Sequence, residues 1–130
     1  MPSHTQQIGR QGEQWAAHYL QARGYRVLAR NVYTPYGEID LIVHGPEELV
    51  FIEVKARRSS RGTPPEARVD VRKRRRLWAA IQHWLAERYP EGDEPPWRVD
   101  VIAVEWHAAR PEPLARIYHW EDIPLDGDDE

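Results

Sequence analysis

The sequence predicts an α/β fold, a mixed central β-sheet flanked by helices in the order α-β-β-β-α-β-β. Three observations carry that prediction. Two long segments repeat apolar residues at helical spacing, short runs between them alternate with period two, and Gly and Pro punctuate the joins.

Residues 5–23 read as the first helix, because Ile8, Trp15, Ala16, Tyr19 and Leu20 recur at near-helical spacing and Gly24 stands just past the end. Tyr25 to Tyr33 is the first strand, closed by a Thr34-Pro35-Tyr36-Gly37 turn. In the next strand Ile39, Leu41 and Val43 are expected on one face, with Glu38, Asp40 and Ile42 on the other. In the third, Val50, Ile52 and Val54 oppose Phe51, Glu53 and Lys55. Gly45-Pro46 between these two strands predicts an antiparallel hairpin. Arg57 to Ala67, with Ser59-Ser60, Gly62 and Pro64-Pro65, reads as a mobile loop.

Asp70 to Tyr89 is the clearest helix, with Leu77, Ala80, Ile81, Trp84 and Leu85 in one stripe. Pro90 to Pro96 ends it; Trp97 to Glu105 and Leu114 to His119 are two further strands, expected to pair across the Pro111–Pro113 loop. Trp15, Trp78, Trp84 and Trp97 fall on or near the apolar stripes and are expected in the core. Trp106 and Trp120 are the candidates for exposure, where stacking on bases ranks below simple packing.

At 130 residues the chain fits a single domain, assigned to 1–124, followed by an acidic tail at 125–130 that is expected to be disordered. The absence of cysteine excludes disulfides and thiolate metal sites. No apolar stretch approaches the length of a membrane span, and the N-terminal residues lack the pattern of a signal peptide, so no membrane association and a cytoplasmic location are the default expectations. The net charge of −3 hides segregation: residues 121–130 hold six acids and no base, which leaves eighteen bases against fifteen acids in the rest.

The most informative stretch is Gly37 to Lys55. A hairpin here would bring Asp40 beside Glu53 and Lys55. Carboxylates on adjacent strands repel unless a cation lies between them, and a hard divalent ion such as Mg²⁺ favours such oxygen ligands. Lys55, on the same face as Glu53, would stabilise phosphate charge or orient an attacking water. The plainer reading is a hairpin with a solvated polar face and a weak Glu53–Lys55 surface pair.

Twelve residues separate Asp40 from Glu53 and one separates Glu53 from Lys55, a spacing that resembles the D-(x)n-E-x-K core of the PD-(D/E)xK nuclease superfamily. More widely, GRQGEQWAAHYL at 9–20, GY at 24–25, GEIDLI at 37–42, VFIEVKAR at 50–57 and RVDVIAV at 98–104 resemble the bacterial YraN family (UPF0102) over nearly the whole chain. That family is in turn similar to the archaeal Holliday-junction resolvases. The resemblance implies a restriction-endonuclease-like arrangement in which a first-helix glutamate joins the strand acids, and Glu13 is the matching position. One feature departs from the superfamily name: Ile39, not proline, precedes Asp40.

What the resemblance implies is a metal-dependent DNA endonuclease that hydrolyses phosphodiester bonds, with branched DNA as one substrate. Mg²⁺ or Mn²⁺ would be held by Asp40, Glu53, Glu13 and the backbone carbonyl of Val54, with Glu38 supporting Asp40 from the same face. Lys55 would meet the scissile phosphate or orient the water. The alternative is a catalytically weak or inactive nucleic-acid-binding module on a nuclease scaffold, and a third reading is a small protein whose basic band meets an acidic partner.

That band runs from Lys55 to Arg76, with ten bases against Glu66 and Asp70. It suits a polyanion, and Arg57, Arg58, Lys73, Arg74 and Arg76 are the expected phosphate contacts on DNA, with RNA equally compatible. A solvated helix face is the bland alternative. Positive charge in the first turns of the second helix opposes the macrodipole, a conflict that a phosphate or Asp70 would relieve. Symmetric cutting of a junction would need a homodimer, although no dimer-specific signal stands in the sequence.

Other residues support no function. The six histidines lack HxxxH or HExxH spacing, Ser59 and Ser60 lack a nucleophile motif, and Gly9-x-x-Gly12 is too short for a nucleotide loop. Those glycines fit close packing of the first helix against the sheet.

Overall fold

The computed structural model describes residues 4–58, 64–107 and 114–125. It contains α1 (His4–Ala22), β1 (Arg26–Thr34), β2 (Gly37–His44), β3 (Leu49–Arg58), α2 (Val71–Arg88), β4 (Trp97–His107) and β5 (Leu114–Trp120). The α/β fold and the expected order of elements hold. The five strands form one sheet in sequential order, antiparallel except for the parallel β3–β4 pair that α2 connects.

Strand alternation explains why the sheet carries a helix on each face. Val50 and Ile52 of β3 join Leu41 and Val43 against Ala16, Ala17 and Leu20 of α1. Leu49 and Phe51, pointing the other way, pack with Leu77, Ala80, Ile81 and Leu85 of α2. The β2–β3 hairpin therefore has no solvated face, and the reading that gave it one is set aside. The α1 helix ends as expected at Gly24, whose φ of 95° suits a residue without Cβ and whose neighbour Tyr25 donates its N–H to the Leu20 carbonyl. Closer to its start the helix lies so near β3 that a Cβ on Gly12 would come within 2.4 Å of Ala56 Cβ, so this glycine is required by packing.

Several expectations are corrected. Ile39 does not share the face of Leu41 and Val43: it joins Ile42 in the α2-side core. Alternation breaks at Asp40, where Asn31, lying between the Arg30–Leu41 and Val32–Ile39 pairs of β1 and β2, adopts a left-handed φ of 50°. Trp15 and Trp78 are not core residues, being 37% and 46% exposed. Each follows or precedes a buried stripe residue by one position, so it is rotated to the rim of its helix, edged against Trp106 and tilted on Trp97 respectively. Trp106 and Trp120 are half-buried. β3 runs on to Arg58, into the segment expected as a loop.

Leu125, placed by the sequence at the start of the tail, is buried in the α2-side core, and Ile123 donates its N–H to the Val99 carbonyl at 2.7 Å. The rest of the tail, the Ser59-Ser60 segment and the Pro111–Pro113 loop lie outside the described residues. On β4, paired with Ile52 of β3, Asp100 is fully buried in a polar knot. It accepts from Arg98 Nε at 2.9 Å and from the Asp122 N–H at 3.0 Å, and it pairs with His119 Nε2 at 2.7 Å. Tyr19 reaches the other ring nitrogen of His119 at 2.9 Å. Burial works to raise the Asp100 carboxyl, but these partners hold it below the usual carboxylate range.

Candidate functional site

The β2–β3 ladder pairs His44 with Leu49 and runs only as far as Leu41 with Ile52. Beyond that point the strands are linked by a side chain, the Asp40 carboxylate, which accepts the Val54 backbone N–H at 2.8 Å. The space next to this link is a pocket of about 300 Å³, closed on one side by Gly9 and Glu13 of α1 and on the other by Lys73, Arg76 and Leu77 of α2. Gly37, Glu38, Asp40, Glu53 and Val54 complete its walls.

Carboxylate oxygens of Glu13, Glu38 and Asp40 lie within 4.8 Å of one another in this pocket. Asp40 is almost completely buried, Glu13 half-buried and Glu38 exposed. Burial, and next the neighbouring Glu53 charge, push the Asp40 carboxyl up to about 8, against the pull of the Val54 N–H. Burial also raises Glu13, opposed by a hydrogen bond from Asn31 and increased by the charges of Glu38 and Glu53. A cluster of hard oxygen donors that resist ionising is an environment a divalent cation relieves, so the donor set fits Mg²⁺ or Mn²⁺.

Glu53, also buried, lines the same pocket, but its carboxylate is ion-paired with Lys73. Burial works against the charged form of Lys73, yet the hydrogen bond and charge of Glu53, with Asp40 and Asp70 behind it, keep its ammonium above the usual lysine range. The structure thus gathers Glu13, Asp40, Glu53 and Val54 around one pocket and brings Glu38 in among the oxygen donors, closer than a supporting position behind Asp40. The N–H of Val54 is committed to Asp40.

Lys55 goes elsewhere. Its ammonium donates to the carbonyl of Glu66 at 2.9 Å and to that of Arg68, and it borders a separate cavity of about 230 Å³ with Arg57, Pro64, Pro65 and Val104. Burial lowers its pKa. The ammonium in the acidic pocket belongs to Lys73, which the sequence pointed to only as a phosphate contact. Its helical spacing to Leu77, whose stripe meets the sheet, was the signal that could have placed it at β3.

The basic band divides. Arg76 lines the pocket and Arg58 is exposed at the end of β3. Arg57 donates to Glu105 at 2.8 Å, and Arg74 is half-buried. Asp70 caps α2 by accepting the Lys73 N–H at 2.9 Å, and that bond leads the causes that depress its pKa. The charge conflict at this helix start is therefore eased by Asp70 and Glu53 within the chain.

Among the described residues no helix is long and apolar enough to cross a membrane. The model of the Uncharacterised protein family UPF0102 matches residues 12–104. A UPF0102 protein of Symbiobacterium thermophilum is 49% identical over 102 residues, covering 78% of this chain and 84% of that protein. One of Nitrosococcus oceani is 44% identical over 103 residues, with 79% and 82% covered. One of Anaeromyxobacter dehalogenans is 40% identical over 123 residues, with 95% and 87% covered.

Proposed function

The chain belongs to the UPF0102 family, the YraN family of the sequence resemblance, and from that premise we propose that it is a metal-dependent nuclease cutting phosphodiester bonds in DNA. One observation carries the reading: Glu13, Glu38 and Asp40 converge in one pocket, and the most buried of the three, Asp40, has its carboxyl pushed up to about 8 by burial and by Glu53. Such a cluster is costly without a cation.

A bound Mg²⁺ or Mn²⁺ supplies Lewis-acid polarisation of a phosphoryl oxygen and makes a water more acidic. The protein's part is to position. Val54 fixes the Asp40 carboxylate through its N–H, and Glu13 and Glu38 bring oxygens from α1 and from β2. Glu53, released from Lys73 as charge enters the pocket, either joins the donors or takes a proton from the attacking water. Lys73 then faces the negative charge that builds on the phosphate as water adds and the P–O bond to the leaving sugar breaks. Arg76, lining the pocket, and Arg58, exposed on β3, hold the flanking backbone.

A second reading has a specific observation behind it: Lys55, the lysine of the E-x-K spacing, is bound to the carbonyls of Glu66 and Arg68, away from the carboxylates. On that reading the domain binds nucleic acid and cuts it poorly or not at all. The test is a panel of duplex, single-stranded and branched DNAs incubated with Mg²⁺ or Mn²⁺. Cleavage by the wild type that disappears in Asp40→Ala supports the nuclease, and binding without cleavage under every cation supports the module.

A further inference from the structure

Two exposed aromatic rings belong to residues that adjoin the lining of the acidic pocket. Tyr33, at the end of edge strand β1, is 78% exposed, and Tyr36, in the β1–β2 turn, is 54% exposed. Both sit next to the pocket. Tyr33 pairs across the hairpin with Glu38, one of the three clustered acids, and Gly37, which follows Tyr36, lines the pocket wall where a Cβ added to it would meet Arg76 Cβ at 3.6 Å.

The turn that presents them is braced. Thr34 Oγ1 accepts the N–H groups of Tyr36 and Gly37, each at 3.1 Å, and donates to the Gly37 carbonyl at 2.8 Å. The Tyr36 ring also leans edgewise on His83 of α2, with centroids 5.8 Å apart. Exposed rings next to a phosphate-binding pocket offer unpaired bases a surface on which to stack, because every base has a π-face. Bases inside a duplex are stacked on each other and cannot use it.

We infer that Tyr33 and Tyr36 are a stacking platform for unpaired nucleotides, which makes the preferred substrate a nucleic acid with a single-stranded segment next to the phosphate that enters the acidic pocket. This rests on the nucleic-acid reading above and narrows it to a substrate class. Arg76, which lines the pocket and packs near Gly37, would meet the connecting phosphate.

The test is fluorescence anisotropy of the full chain, with Ca²⁺ as the cation, on a labelled blunt duplex and on the same duplex carrying an unpaired thymidine tail. For the wild type the tail should tighten binding on the order of tenfold. In the Tyr33→Ala, Tyr36→Ala double variant that gain should shrink to roughly twofold or less, and in the Tyr33→Phe, Tyr36→Phe variant, which keeps both rings, it should remain. An equal gain in the alanine variant overturns the platform while leaving the nucleic-acid reading standing. Failure of the wild type to bind either DNA overturns both.

Discussion

Asp40 on β2 accepts the backbone N–H of Val54 on β3 at 2.8 Å, at the place where the ladder between the two strands has ended. This single bond stitches the separating strands together and aims the carboxylate before any ligand arrives. It also explains how a nearly buried acid is kept next to Glu53: the carboxyl is satisfied by the Val54 N–H and by a side-chain hydrogen bond with Glu38, and it lines the pocket.

The first prediction concerns pH. Asp40 holds its proton to about 8 in the folded chain, whereas an unfolded aspartate titrates near 4. Between those values the folded state binds more protons, so stability is fully present below about pH 4 and declines as pH rises toward 8, by up to about 1.4 kcal/mol per unit for one proton. Urea unfolding from pH 5 to 8 in chelator should show Asp40→Asn gaining on the wild type as pH rises. Parallel curves would remove Asp40 from the linkage.

Next, the two lysines should separate by role. Lys73→Ala should slow single-turnover cleavage by roughly a hundredfold or more, the scale of losing one charge-stabilising group. Lys55→Ala should instead loosen the segment around Glu66 and Arg68, whose carbonyls it holds, and be seen as faster proteolysis there. A larger catalytic loss from Lys55→Ala than from Lys73→Ala would reverse the assignment and restore the role expected from the E-x-K spacing.

The contact between Gly12 and Ala56 gives a third. Gly12→Ala inserts a methyl where only 2.4 Å is free, and should cost about 1–3 kcal/mol. Adding Ala56→Gly should recover much of that loss. Chemical denaturation of the two single variants and the double variant measures the coupling, and simple additivity would show that α1 moves aside instead.

Finally, the buried knot at Asp100 should matter for stability alone. Asp100→Ala unties His119 and the Asp122 N–H and leaves Arg98 to Glu48, Tyr25 and Glu121, at a cost of about 1–3 kcal/mol. Denaturation midpoints should fall sharply while divalent-cation affinity, measured on the folded fraction, is kept. A loss of affinity matching that of Asp40→Asn would tie the knot to the acidic pocket.

What could be read from the sequence was what depends on local pattern. The helix stripe at Leu77, Ala80, Ile81 and Leu85, the Gly24 helix end and the Gly45-Pro46 hairpin are set by residues near one another in the chain, and each holds. The proximity of Asp40 to Glu53 followed from the hairpin, and Glu13 came from the family resemblance. The orientation of Lys55 did not follow, because it depends on carbonyls of Glu66 and Arg68 in a segment without periodic pattern. Nor did the face of Ile39, since the left-handed Asn31 that accompanies the break lies on a different strand. Trp15 and Trp78 were misplaced because a tryptophan beside a stripe has the same composition signal as one within it, although a single helical step turns it toward solvent.

The central claim is that the pocket between β2 and β3 grips a divalent cation. Isothermal calorimetry of the chain with Mn²⁺ near pH 8, where the Asp40 proton is most easily displaced, tests it directly. The account predicts saturable binding in the wild type that is abolished in Asp40→Asn and weakened in Glu13→Gln and Glu38→Gln. No saturable heat from the wild type, or equal binding by the wild type and Asp40→Asn, would contradict it.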